Sequence, residues 1–237
     1  YYEVQAHDMD NDGDEDYIVG NLGLNYKYKA SIHEPFEVYS SDFDNNGSLD
    51  IVLSYYEHGE AFPVRGKDCS TQQIPDIGNK FGTYEKFGDS NLGEVYGESL
   101  KDALNLQAKT FASAYIENLG NGSFKIIPLP NLAQVSSINN ILVKDYNSDG
   151  RQDLLVSGNL YSSEIETPRN DAGTGLLLIG DGKGVFSPMS IRESGFFTPL
   201  DAKDMTTIKV GNKEVILVGN NSDILQAIEY TPPTPLQ

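Results

Sequence analysis

The chain has 237 residues, with 35 Asp and Glu against 17 Lys and Arg, a formal charge of −18, and a hydrophobic share of 38%. That length holds one large all-β domain or two small ones, and the apolar share suffices for a packed core. The charge argues against nucleic acid, whose phosphates need Lys and Arg to neutralise them, and against an anionic membrane surface; no run approaches the roughly 18 apolar residues of a membrane span.

The first element is the acidic loop Asp8-Met-Asp-Asn-Asp-Gly-Asp-Glu-Asp16, which runs into the short apolar stretch Tyr17 to Val19. A second, Asp42-Phe-Asp-Asn-Asn-Gly-Ser-Leu-Asp50, runs into Ile51 to Ser54. Both stretches are β-branched or aliphatic and too short for helices, so each is predicted to be a strand. Residues from about 55 to 110 depart from this pattern and are expected to form an insertion. Its first part, Pro63 to Pro75, is polar and irregular. From about Ser90 the spacing of Leu92, Val95, Leu100, Ala103, Leu104 and Ala108 predicts one or two amphipathic helices, interrupted near Gly97.

Beyond the insertion, Asn118-Leu-Gly-Asn-Gly-Ser-Phe124 and Gly180-Asp-Gly-Lys-Gly-Val-Phe186 share their Gly and Phe positions and are predicted to be hairpin turns. Between them lies a third acidic loop, Asp145-Tyr-Asn-Ser-Asp-Gly-Arg-Gln-Asp153, followed by the apolar run Leu154 to Ser157. Lys203-Asp204-Met205 is expected to open a fourth repeat. There Thr206, Ile208 and Asn212 replace the ligand pattern while the strand Val215 to Asn220 survives, so no calcium is expected. The last seven residues, Thr231-Pro-Pro-Thr-Pro-Leu-Gln237, cannot continue a central strand and read as an extended tail.

All three acidic loops follow D-x-[DN]-x-[DN]-G-x-x-D. Oxygen donors at positions 1, 3, 5 and 9, with a glycine at 6 for the sharp turn, suit a Ca²⁺ ion of about six to eight oxygen ligands. Without a cation the carboxylates repel: two of them about 5 Å apart cost roughly 3 kcal/mol at an effective dielectric near 20. An EF-hand shares this opening but needs a bidentate Glu at position 12, where this chain has Val19, Leu53 and Val156.

An acidic loop feeding a strand that ends in Gly-Asn, as at Tyr17 to Asn21 and Leu154 to Asn159, resembles the FG-GAP/VCBS repeat of integrin α-subunit propellers and of many secreted or surface proteins of bacteria. The resemblance covers the loops, their strands and some hairpins. It implies an all-β chain of β-propeller blades, about four FG-GAP/VCBS-type repeats over residues 1–230 with one helical insertion, within a larger propeller built from the same parent chain. It also implies about three Ca²⁺ ions, each held by side chains at loop positions 1, 3, 5 and 9 and by the carbonyl at 7. Those positions are Asp8, Asp10, Asp12, Asp14 and Asp16; Asp42, Asp44, Asn46, Ser48 and Asp50; and Asp145, Asn147, Asp149, Arg151 and Asp153. The function so implied is non-catalytic, a calcium-binding extracellular or cell-surface module for adhesion or recognition of a glycan or protein.

Compartment and chemistry are less marked. Cys69 is the one cysteine, so no internal disulfide is possible, and metal would supply the stapling that disulfides give many secreted domains. No signal peptide precedes Tyr1, and a chain that starts with Tyr is expected to be processed or a fragment. The histidines His7, His33 and His58 are scattered, and a catalytic role for Cys69 beside Arg65, Lys67 and Asp68 would need a lowered thiol pKa. The alternative function is a calcium-dependent polysaccharide lyase, or an accessory domain of a glycan-degrading enzyme, with Arg65, Lys67 and His58 as proton-transfer candidates. A ligand site within the chain is expected first on the loops of the insertion.

Overall fold

A computed structural model describes residues 1–163 and 167–230; the proline-rich tail expected at 231–237 lies outside the described residues. In chain order the strands are β1 (Glu3–His7), β2 (Asp16–Gly20), β3 (Phe36–Ser41), β4 (Asp50–Glu57), β5 (Glu60–Pro63), β6 (Leu104–Ala108), β7 (Ala114–Asn118) and β8 (Phe124–Pro128). They continue with β9 (Asn140–Lys144), β10 (Asp153–Ser157), β11 (Leu176–Gly180), β12 (Phe186–Met189), β13 (Ala202–Val210), β14 (Lys213–Asn220) and β15 (Gln226–Glu229). The helices are short: α1 (Lys67–Gln73), α2 (Asp76–Lys80), α3 (Tyr84–Gly88), α4 (Leu92–Tyr96) and α5 (Ile191–Ser194). The architecture is therefore mostly β, in antiparallel sheets, as the composition and periodicity lead one to expect.

Contacts divide the chain into two compact units, Tyr1–Lys27 with Ala112–Gln237, and Tyr28–Phe111. In the first unit the sheets run β1-β2-β7-β8, β12-β11-β10-β9 and β13-β14-β15. Each is an up-and-down meander, although the strand that follows β2 in space, β7, comes only after the whole second unit in sequence, with Ile18 opposite Tyr115. The β9 to β12 sheet is apolar on both faces. Leu154, Val156 and Leu178 join one cluster with Ile18, Tyr115 and Ile141, whereas Leu155 and Leu177 join another with Phe196, Ile216 and Val218. A period of two thus sends neighbouring residues of β10 into opposite cores, which is why its sequence is a continuous apolar run rather than an alternating one.

Close approach explains the glycine that ends β2 and the one that follows β10. A Cβ at Gly20 would stand 2.3 Å from the Ile138 carbonyl oxygen, and one at Gly158 2.4 Å from that of Ser137. The residue after Gly158, Asn159, is fully buried, and its Nδ2 donates to the carbonyls of Gly173, Pro199 and Leu200. Gly-Asn is therefore a backbone staple in this unit.

The second unit holds the sheet β5-β4-β3-β6 and the helices α1 to α4. Ile74, Ile77, Phe81, Phe87 and Val95 form its helical core, with Phe43 and Tyr96 packed against them. Helix α4 begins with a capping box between Asn91 and Glu94 and stops at Gly97, where φ is +66°. The interruption expected near Gly97 is present. Two sequence expectations are corrected here. Helix begins at Lys67, inside the stretch expected to be irregular, and Leu104 to Ala108 is strand β6, paired with β3 from Phe36↔Ala108 to Ser40↔Leu104. Leu-Asn-Leu-Gln-Ala alternates with period two, and an edge strand this exposed leaves little burial pattern to tell it from a helix. A third correction concerns Lys203-Asp204-Met205, expected to start a loop: it lies within β13, which turns into β14 through Gly211 and Asn212 alone.

Candidate metal centres

Each acidic loop bridges two antiparallel neighbours. The first joins β1 to β2, the second β3 to β4, and the third β9 to β10, with His7↔Asp16, Ser41↔Asp50 and Lys144↔Asp153 as closing pairs. All three share one backbone path. The fourth residue, Asn11, Asn45 or Ser148, has φ near +60° (64°, 58° and 62°), and the glycine at six, Gly13, Gly47 or Gly150, has φ of 96°, 88° and 85°. Two left-handed residues in one short loop are costly for L side chains, and Asn and Gly bear that cost best.

The hydrogen bonds repeat as well. The glycine N–H donates to Oδ2 of the first Asp at 3.2, 2.9 and 2.8 Å for Asp8, Asp42 and Asp145. The N–H at position 7 donates to Oδ1 at position 5, at 3.0 Å for Asp14 to Asp12, 2.8 Å for Ser48 to Asn46 and 2.9 Å for Arg151 to Asp149. That at position 5 donates to Oδ1 at position 3, namely Asp10, Asp44 or Asn147. The N–H at position 2 donates to Oδ2 at position 9, at 3.1, 3.0 and 2.8 Å for Asp16, Asp50 and Asp153. These bonds orient the side chains at 1, 3, 5 and 9 that the sequence pattern singles out.

Burial follows position. The ninth residue begins a strand and is buried in each loop, the first and third are half-buried, and the fifth is exposed. Asp16 reaches across to the next strand: besides Met9 N, it accepts from the Tyr115 hydroxyl at 2.7 Å and from Asn118 N at 2.8 Å. Tyr115 is the functional neighbour that sequence reasoning missed, since nothing local to β7 signals a partner so far back in the chain. Burial and the bond to Asp16 hold its phenol well above the usual range. Asp153 accepts from Gly180 N at 2.9 Å, the counterpart from the next strand.

The loops differ in what their carboxylates meet. Asp8, Asp10 and Asp16 present oxygens within 4.8 Å of one another, and so do Asp42, Asp44 and Asp50. In the first loop the shielded oxygens Asp8 Oδ1 and Asp14 Oδ1 have no hydrogen-bond partner. A shielded carboxylate oxygen without a donor is a costly arrangement that a cation would relieve. The donors are all oxygen, which fits a hard cation. In the third loop the fifth-position carboxylate is engaged instead: Asp149 Oδ2 accepts from Arg151 Nη2 at 2.8 Å and from Asn147 Nδ2 at 3.0 Å. Among the described residues, clusters of three acidic ligand atoms form in the first two loops and not in the third.

Protonation follows this division only away from the buried ninth position, since burial raises the Asp153 carboxyl of the third loop as well. Partial burial, then the charges of Asp16, Asp12 and Asp8, hold the Asp10 carboxyl above its ordinary range; Asp14 is raised by loss of water and then by Asp12, Asp16 and Asp8. Asp149 is lowered, first by its bond to Arg151. The signs are opposite. A carboxyl raised by folding takes up protons in the folded chain, so metal-free stability contributed by loop 1 falls as pH rises from the ordinary aspartate range through the raised values. The Asp149 contribution is present above the ordinary range and is lost as pH falls through the lowered one. Calcium should therefore raise the unfolding temperature more at pH 7 than near pH 4.5, and Asp10→Asn should flatten that difference; thermal scans with EDTA and with calcium at both pH values measure it.

Of the other residues named from sequence, His7 closes β1, His33 is exposed, and His58 sits in the tight turn between β4 and β5 with φ of +52°. Cys69 is half-buried on α1. Arg65 and Lys67 line one cavity of the second unit, and His58 is not among its lining residues. No family model matches this chain, and no curated protein matches it either.

Proposed function

We propose that the chain is a calcium-binding module of the FG-GAP/VCBS type, its sheets serving as propeller blades, and that it acts without catalysis outside the cell or at its surface by recognising a glycan or protein. The observation that carries this reading is the first loop, where shielded oxygens of Asp8 and Asp14 lack any donor inside a loop whose backbone and hydrogen bonds recur twice more. Calcium is the favoured ion because it accepts irregular sets of oxygen ligands, while Mg²⁺ demands near-octahedral geometry and keeps much of its water. In support of blades, the first unit has two four-stranded antiparallel meanders, the repeating element of a propeller. When bound, each ion would neutralise its carboxylates and tie the loop between two strands; three ions would bring the formal charge from −18 to −12.

Thermal unfolding in EDTA and in calcium tests the proposal. A site bathed at about 100 times its Kd gains about 2.7 kcal/mol, so an upward shift of several degrees is expected. No shift would reduce the loops to turns. The sites should not be equal. Loop 1 should bind more tightly than loop 3, where the Arg151 guanidinium already occupies the Asp149 carboxylate. Arg151→Ala should raise the affinity of loop 3 by roughly tenfold, read by calcium titration calorimetry; unchanged affinity would mean that Asp149 is not a ligand.

A further inference from the structure

The sequence contains two Asn-Gly bonds, Asn46-Gly47 in the second acidic loop and Asn121-Gly122 in the hairpin between β7 and β8. Both lie on exposed turns. In such a pair the backbone nitrogen of the glycine can attack the preceding side-chain amide, because a residue without Cβ leaves the approach uncrowded. At Gly47 the space is open, for a Cβ there would meet nothing within 4 Å. The second loop also gathers the reacting groups. The Gly47 N–H donates to Asp42 Oδ2 at 2.9 Å, so its hydrogen already rests against a carboxylate. The Ser48 N–H donates to Asn46 Oδ1 at 2.8 Å, and that oxygen gains negative charge as a nitrogen adds to Cγ. A fixed donor aimed at a developing oxyanion stabilises the charge that forms there. Among the described residues, Asn46 Nδ2, the leaving nitrogen, makes no hydrogen bond, and Asn121 and the Gly122 N–H have no bonds like those of the loop.

We propose that Asn46 is a site of spontaneous deamidation, fast in the metal-free chain and held off by calcium in the loop. First the Gly47 nitrogen bonds to Asn46 Cγ, the Cγ–Nδ2 bond breaks, and ammonia departs carrying the amide proton. One water then opens the cyclic imide at either carbonyl, leaving aspartate or isoaspartate, and each adds a negative charge. Aspartate gives the second loop the same residues at positions 1, 3 and 5 as the first, Asp8, Asp10 and Asp12, and so raises its affinity for calcium. Isoaspartate lengthens the backbone by one carbon between residues 46 and 47, which displaces the Gly47 N–H from Asp42 and spoils the loop. The loop thus records time spent without calcium. Protection by calcium rests on the metal reading above: an ion that takes Asp42 and Asn46 Oδ1 as ligands occupies the carboxylate and fixes the amide. With calcium at about 100 times its Kd, roughly one loop in a hundred is empty, so reaction through the empty loop slows by up to about that factor.

The test is incubation of the whole chain at neutral pH in EDTA and in calcium, with mass-spectrometric peptide mapping of the segments carrying Asn46 and Asn121, and calcium titration calorimetry on the starting material. In EDTA, Asn46 is expected to convert faster than Asn121. In calcium it should convert at least about tenfold more slowly than in EDTA, while Asn121 keeps one rate in both. Protein aged in EDTA should hold both aspartate and isoaspartate at position 46, and Asn46→Asp should bind calcium more tightly than the parent chain. Asn46→Gln, whose longer side chain closes a ring poorly, should leave this segment unchanged in mass. An Asn46 that stays intact in EDTA, or converts no faster than Asn121, would overturn the proposal. Equal rates at Asn46 with and without calcium would overturn it too, and calorimetry then separates the two readings. Calcium bound without protection sinks this inference alone; no calcium bound takes the metal reading down with it.

Discussion

Asp16→Ala is expected to cost the fold about 3–5 kcal/mol in EDTA, as measured by urea unfolding, before any metal is considered. Asp16 is 1% exposed and is the shared acceptor for Met9 N, the Tyr115 hydroxyl and Asn118 N. Truncation leaves all three donors facing a void, and the strand pair β2 and β7 loses the carboxylate that ties it at the loop end. Asp16→Asn should be milder, since it keeps an acceptor for two of the donors, yet it should still abolish tight binding at loop 1 because it removes one of three converging charges. Tyr115→Phe separates the effects: it should cost about 1–2 kcal/mol and leave ion binding largely intact. A loss below about 1 kcal/mol for Asp16→Ala would show that the aspartate is held for the metal alone.

Asp10→Asn is expected to act in the opposite direction on the metal-free fold, raising its unfolding temperature while lowering calcium affinity by roughly tenfold or more. The carboxyl of Asp10 is held above its ordinary range by burial and by three like-charged neighbours, so the metal-free loop carries a repulsion that the amide removes. Asparagine can still accept from the N–H of residue 12, so the turn keeps its hydrogen bond. Most substitutions in a binding loop lower stability with and without ligand. A gain in EDTA combined with a loss in calcium is the signature of residues gathered for a cation, and a loss in both conditions would assign Asp10 to turn formation instead.

Much of this was legible in the sequence because it is local. The left-handed positions in the acidic loops fall on Asn11, Gly13, Asn45, Gly47 and Gly150, residues that tolerate them, and the strands begin at the ninth loop residue as the apolar runs indicate. Ser148 has the same backbone without being a residue that favours it, so the shared pattern mattered more than the residue type there. What was not legible depends on distance in the chain. The pairing of β2 with β7, and with it the bond from Tyr115 to Asp16, spans the entire second unit and leaves no trace in either segment's periodicity. Strand β6 was read as helix because five residues of an exposed edge carry too little burial contrast to distinguish a period of two from one of 3.6. In the third loop the sequence shows Arg151 at the seventh position, but only the side-chain geometry shows that its guanidinium turns back onto the loop's own fifth residue.

The most direct measurement is the number of calcium ions bound per chain at equilibrium, by elemental analysis after dialysis against about 1 mM calcium, the range suited to extracellular modules. Three ions are predicted, the one at loop 3 lost first as free calcium is lowered and those at loops 1 and 2 retained longest. A chain that carries none under these conditions would contradict the account at its centre.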